Sequence, residues 1–151
     1  MMKVLKTISS ASVVLVALLI TLLASQFANA SSSYKLTVVA TGIKSETGTI
    51  RAVLCTKGER FPNTCAIREA VPAKKGVVKI TFNDVPQGEY AFAAFHDEND
   101  DTRLNSKGRM PAEGLLFSNN AMGRMGPPSF KQSAFEIADD KRVMVQARYL
   151  Q

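Results

Sequence analysis

The chain has 151 residues with 19 basic and 13 acidic side chains, one histidine, two cysteines and no tryptophan. That length allows one domain with a single core beside a short terminal segment and leaves no room for a second domain. The basic residues form no run and accompany no nucleic-acid-binding pattern, which argues against DNA or RNA as a partner.

Lys3 and Lys6, the apolar stretch from Ala11 to Ala24 and the triplet Ala28-Asn29-Ala30 have the order of a secretory signal peptide, positive, apolar, then small-residue cleavage site. The apolar stretch is shorter than the roughly 20 residues a membrane-spanning helix needs. Residues 1–30 are therefore expected to be cleaved, leaving residues 31–151 as one exported domain, periplasmic or secreted, with no membrane span. Cleavage takes two of the 19 basic side chains, so the 13 acidic ones leave a net charge of +4. Cys55 and Cys65 both lie in the exported part, where an oxidising compartment favours a disulfide between them. Closing so short a loop is worth about 3 kcal/mol.

Tyr34 to Gly42 alternates β-branched with polar residues and predicts a strand that turns Leu36, Val38 and Ala40 inward. After the turn Ser45-Glu46-Thr47-Gly48, Thr49 to Cys55 predicts a second strand with Ile50, Ala52 and Leu54 on one face, and the two read as a hairpin. Thr56 to Lys75 has no sustained period and is expected to be a disulfide-pinned connection with one edge strand from Ile67 to Val71. Val77 to Phe82 alternates again, Asn83 to Gly88 reads as a turn, and Glu89 to His96 is a nearly continuous apolar run. These two strands read as the clearest hairpin, with the second as a central strand covered on both faces. Ala134 to Ala138 and Val143 to Leu150, around the turn Asp139-Asp140-Lys141, complete the core with Phe135, Ile137, Val143, Val145, Ala147 and Tyr149. Six or seven short strands and no helix after residue 30 predict an all-β antiparallel sandwich.

Between the last two groups of strands lies the segment His96 to Phe130, with four glycines and three prolines. Residues 98–132 are expected to form one long ordered loop, because a loop of that length in a small domain is uncommon and its scattered leucines, methionines and phenylalanines argue against disorder. Such a loop is the natural recognition face of the domain.

The run Ile80 to Tyr90, I-T-F-N-D-V-P-Q-G-E-Y, resembles the hairpin of prealbumin-like and carboxypeptidase-regulatory β-sandwich modules. Together with His96-Asp97-Glu98-Asn99, Pro111-Ala112-Glu113-Gly114, Phe117-Ser118-Asn119-Asn120 and Gly126-Pro127-Pro128-Ser129-Phe130, it resembles the bacterial secreted family catalogued as domain of unknown function 2141. The resemblance implies an exported immunoglobulin-like sandwich of unassigned activity and supplies no catalytic residues. Where that family has N-G-x-L-D, this chain reads Asp101-Thr102-Arg103-Leu104-Asn105, with Thr102 in place of the glycine and Asn105 in place of the final aspartate.

Asp97, Asn99, Asp101 and Asn105 have the alternate-residue oxygen spacing of calcium loops, so they are the candidate calcium ligands. Against this, the turn glycine is Thr102 and the distal bidentate glutamate position is Gly108, and a solvated acidic turn neutralised by arginines stands as the alternative. His96, the only histidine, invites a hydrolase reading with Asp97, Glu113 or Ser118, yet neighbours on a strand point to opposite faces and Ser118 sits in no nucleophile elbow. His96, Glu113, Phe117, Ser118, Asn119 and Asn120 are instead expected to orient the loop or face a ligand. The expectation is thus an exported, non-catalytic binding or accessory module that recognises an envelope or extracellular protein or glycan, with calcium as its candidate ion. A small extracytoplasmic hydrolase using His96 and loop carboxylates is the rival.

Overall fold

The computed structural model describes residues 32–150, so the expected signal peptide lies outside the described residues. Ten strands follow in chain order. They are β1 (Ser33–Ile43), β2 (Thr49–Thr56), β3 (Ile67–Pro72), β4 (Gly76–Pro86) and β5 (Gly88–Asp97), then β6 (Ser106–Lys107), β7 (Met110–Pro111), β8 (Gly114–Phe117), β9 (Ala134–Ile137) and β10 (Lys141–Gln146). A 3-10 turn at Ser118–Asn120 follows β8, and one turn of helix, α1 (Phe130–Ser133), precedes β9. A capping box between Ser129 and Gln132 starts α1, which is all the helix the described residues contain outside that turn.

The strands form a three-stranded sheet, β10-β1-β4, and a five-stranded one, β3-β2-β5-β8 with β9 also on β5; β6 and β7 make a separate two-residue hairpin. The all-β sandwich expected from alternation is therefore present. The core lies between the sheets: Leu36, Val38, Ala40, Ile80, Phe82 and Val145 face Ile50, Leu54, Phe92, Leu116 and Ile137. Phe82 and Phe92 meet edge to face with centroids 6.2 Å apart. Each large side chain fully buried here contributes about 1.5–3 kcal/mol.

Two hairpins of the sequence reading do not form. β1 does not form a hairpin with β2; it pairs with β4, and β2 pairs with β3 and β5. Likewise β4 and β5, joined through Gln87, lie in opposite sheets, and so do β9 and β10. In each case the short turn is an arch that carries the chain across the core, so that the two apolar faces look at each other instead of lying side by side. The small sheet is also not wholly antiparallel, because β10 runs parallel to β1, with Leu36 opposite Lys141 and Thr41 opposite Gln146. Finally, the segment 98–132 is no plain loop: β8 within it joins the large sheet beside β5.

Candidate functional site

Residues opposite one another in a sheet share a face. On the outer face of the large sheet, Arg68, Val53, Ala93 and Phe117 form one row, and Ala70, Arg51, Phe95 and Leu115 the next. Part of this face is covered. Phe61 from the disulfide-pinned segment meets Phe117 and Phe130 edge to face at 6.2 and 6.3 Å, roofing the end near Cys55 and Ala91. This lid accounts for the apolar residue Ala91 on the outer face of β5, whose other face meets the core.

The rest of the face is an open cleft of about 630 Å³. Val53, Ala93, Phe95 and Leu115 make its floor; Pro62 and Asn63 make one wall, and Thr102 and Leu104 the other. Clefts of this size suit small-molecule ligands. The first wall is held by Cys55 and Cys65, at disulfide distance with Cα atoms 4.7 Å apart, and by Glu59. The Glu59 carboxylate accepts from the backbone N–H of Thr56 at 2.6 Å and of Ala66 at 2.7 Å, and the Thr56 N–H holds its pKa below the ordinary value. Arg68 on β3 donates from Nε to the Cys65 carbonyl at 3.1 Å, which aims its guanidinium along the cleft edge.

The second wall is the acidic turn. Asp97, at the end of β5, is fully buried, and its carboxylate pairs with Arg51 Nε. Its oxygens also accept the backbone N–H of Asp101 at 3.1 Å and of Thr102 at 3.0 Å. Asp101 accepts from the amides of Asn99 at 3.1 Å and Asn105 at 2.9 Å and from the Arg103 N–H at 2.8 Å. The Asn105 amide is the main cause of its lowered pKa. The four candidate calcium ligands are thus brought together, but around N–H donors. Asn105 supplies through its amide the positive partner that an aspartate there would need from a cation. Among the described residues no group of three or more His, Cys, Asp or Glu side chains is arranged to hold a metal. Buried Glu113 lies beside them, accepting the Asn105 N–H at 3.0 Å. Removal from water pushes its pKa up; that N–H acts against the shift, and the Asp97 charge adds to it.

His96 faces the other way. Fully buried, it sits on the core side of β5, with Nε2 2.8 Å from the Thr47 carbonyl and Nδ1 2.8 Å from the Tyr149 hydroxyl. A carbonyl can only accept, so Nε2 carries the proton, and the Tyr149 hydroxyl donates to Nδ1 while accepting the Lys44 N–H at 3.1 Å. Burial raises the Tyr149 pKa, which keeps that donor proton in place. The ring of Tyr149 covers Gly114, where an added Cβ would come within 2.5 Å of it. On the neighbouring turn Gly48, with φ +76°, lets the backbone of Asp97 approach.

Ser118 is four residues from His96 along the ladder, about 13 Å away. Its fully buried hydroxyl accepts the Phe92 N–H at 3.0 Å and pairs with the Ser133 carbonyl, so it joins β5 to α1. Asn119 and Asn120, with φ of +58° and +48°, occupy left-handed positions that asparagine tolerates. The Asn119 amide donates to the Ala134 carbonyl at 2.9 Å, and the Asn120 side-chain oxygen accepts the Gln146 N–H at 2.8 Å. The Phe117-Ser118-Asn119-Asn120 motif therefore stitches both sheets together. Sequence reasoning missed Arg51, Val53, Arg68, Phe95 and Leu115, which come together only through register.

A family model described as an uncharacterized protein conserved in bacteria (DUF2141) matches residues 38–146. No curated protein and no solved structure matches the chain.

Proposed function

The chain belongs to the DUF2141 family, and from that premise we propose that it is an exported, non-catalytic binding module whose ligand seat is the cleft on the outer face of the large sheet. The observation that carries this reading is an apolar floor of Val53, Ala93, Phe95 and Leu115 left open between two walls that are each internally braced. An open apolar floor in a small domain is a surface that a ligand or partner covers. Export is supported by the signal-peptide pattern of residues 1–30 and by the cysteine pair.

The segment 98–132 takes part in recognition by giving the cleft its second wall. That wall keeps its shape through Arg51 and backbone N–H groups, with calcium not required for it. His96 serves to tie the chain end to the core, turned away from the cleft, which supports binding over hydrolysis. The test uses an uncharged apolar dye, Nile red, whose fluorescence rises in a water-poor site. Wild type is expected to enhance it saturably. Ala70→Trp, a change at an exposed edge-strand position lining the cleft, is expected to abolish the enhancement without lowering the melting temperature. Equal enhancement by the folded variant would remove the cleft from the account.

A further inference from the structure

Resting on that cleft reading, we infer that the ligand is an amphiphile, with a hydrocarbon body lying across the sheet and a single anionic head group held by Arg68. The charged side chains around the cleft decide the head group. Arg51 is committed to Asp97, with Asp100 at 3.8 Å from its other arm. Glu69, the one carboxylate in the lining, pairs opposite Ala52, and neighbours along a strand point to opposite faces, so it leaves the Arg68 side of β3. Arg68 is exposed, and among the described residues no carboxylate lies within ion-pair distance of it. Its Nε is fixed on the Cys65 carbonyl, so the remaining guanidinium fork is oriented before any ligand arrives. A planar, preoriented fork suits a carboxylate or phosphate oxygen pair.

The body is decided by the floor. From Arg68 on β3 the row crosses Val53 and Ala93, flanked by Phe95 and Leu115 of the next row and by Leu104 of the wall. Four strands span about 14 Å; Val53, Ala93, Phe95, Leu115 and Leu104 offer no hydrogen bond along that path, Arg51 beside them is engaged by Asp97, and the other polar groups, Asn63 and Thr102, stand in the walls. An extended aliphatic chain with its charge at one end matches this arrangement better than a sugar or a peptide, whose polar groups would be left unpartnered over the floor.

Decanoate and decan-1-ol carry the test, each titrated by calorimetry into the protein purified from the exported fraction. Wild type is expected to bind decanoate about tenfold more tightly than decan-1-ol, the scale of one charge-assisted hydrogen bond, with the preference shrinking as salt is added. Arg68→Gln is expected to bring the two affinities together while leaving decan-1-ol binding unchanged. Equal affinities in wild type would overturn the anionic head group, and a preference that survives in Arg68→Gln would overturn its seat on Arg68, each leaving the cleft in place. Failure of both compounds to bind would overturn the cleft reading and this inference with it.

Discussion

The Tyr149 hydroxyl stands 2.8 Å from Nδ1 of His96, joining positions 53 residues apart at the edge of the core. Phenylalanine at 149 would leave Nδ1 of a fully buried imidazole with only the Glu98 carboxyl group, 3.4 Å away, beside it, and would give the exposed Lys44 N–H back to water. Tyr149→Phe is therefore expected to destabilise the fold by about 2 kcal/mol, read as a lower urea midpoint with an unchanged slope. Gly114→Ala, which pushes a methyl group into the same ring, is expected to cost about 1–3 kcal/mol.

Arg51 is the cation that Asp97 depends on. Removing one partner of a buried pair leaves the other charge uncompensated, so Arg51→Ala is expected to cost about 3 kcal/mol, part of it offset by the two N–H groups that also reach the carboxylate. The companion expectation concerns the ion. Millimolar calcium and chelator should give the same wild-type melting temperature, since a ligand bound only by the folded state would raise it. A calcium-dependent rise lost in Asp97→Ala would show instead that the turn rearranges around a cation.

Thr102 sits at φ +68°, a left-handed conformation that a β-branched residue adopts at a cost. Thr102→Gly relieves that strain and keeps the N–H that Asp97 accepts, though it loosens the unfolded chain. The net effect is expected to be a gain of about 0.5–1 kcal/mol, measured by thermal melting. A loss would mean that the threonine side chain contributes more than its backbone costs.

Glu113 gives the fold a dependence on pH. Its folded pKa lies above the ordinary carboxylate value, so the unfolded state releases its proton first as pH rises. The carboxyl group thus stabilises the fold least above its folded pKa, and its penalty disappears below the ordinary range near 4. Glu113→Gln keeps an oxygen for the Asn105 N–H and removes the charge. It is expected to be more stable than wild type at pH 7 and equal to it near pH 3, in urea melts at both values.

Much of the fold could be read from side-chain alternation. Leu36, Val38 and Ala40, then Ile50, Ala52 and Leu54, then Val78, Ile80 and Phe82 all turn inward as their spacing demands. Partnership was another matter. A two-residue period fixes which side of a strand is apolar, but it is equally satisfied by a hairpin and by an arch, so the turns at Ser45–Gly48 and Pro86–Gly88 gave no clue that the chain changes sheet there. β8 was hidden because Gly114-Leu115-Leu116-Phe117 is too short to show a period. The acidic turn was located by its spacing, while the direction of its oxygens depends on backbone N–H groups that composition does not report. The cleft itself draws residues from four strands, three each from β2, β3 and β5 and one from β8, a grouping created by ladder register alone.

The neighbouring of β1 and β10 has a consequence for how the molecule is made. A polypeptide delivered amino end first presents β1 at the outset, yet the residues that complete its ladder are not delivered until Gln146, 105 positions after Thr41. Until then the opening strand keeps a row of amides unanswered, and contacts of such long range form slowly. Pairing along this edge of β1 therefore waits on Lys141–Gln146, and a nascent or clipped chain ending before Lys141 displays a ready template for a stray strand.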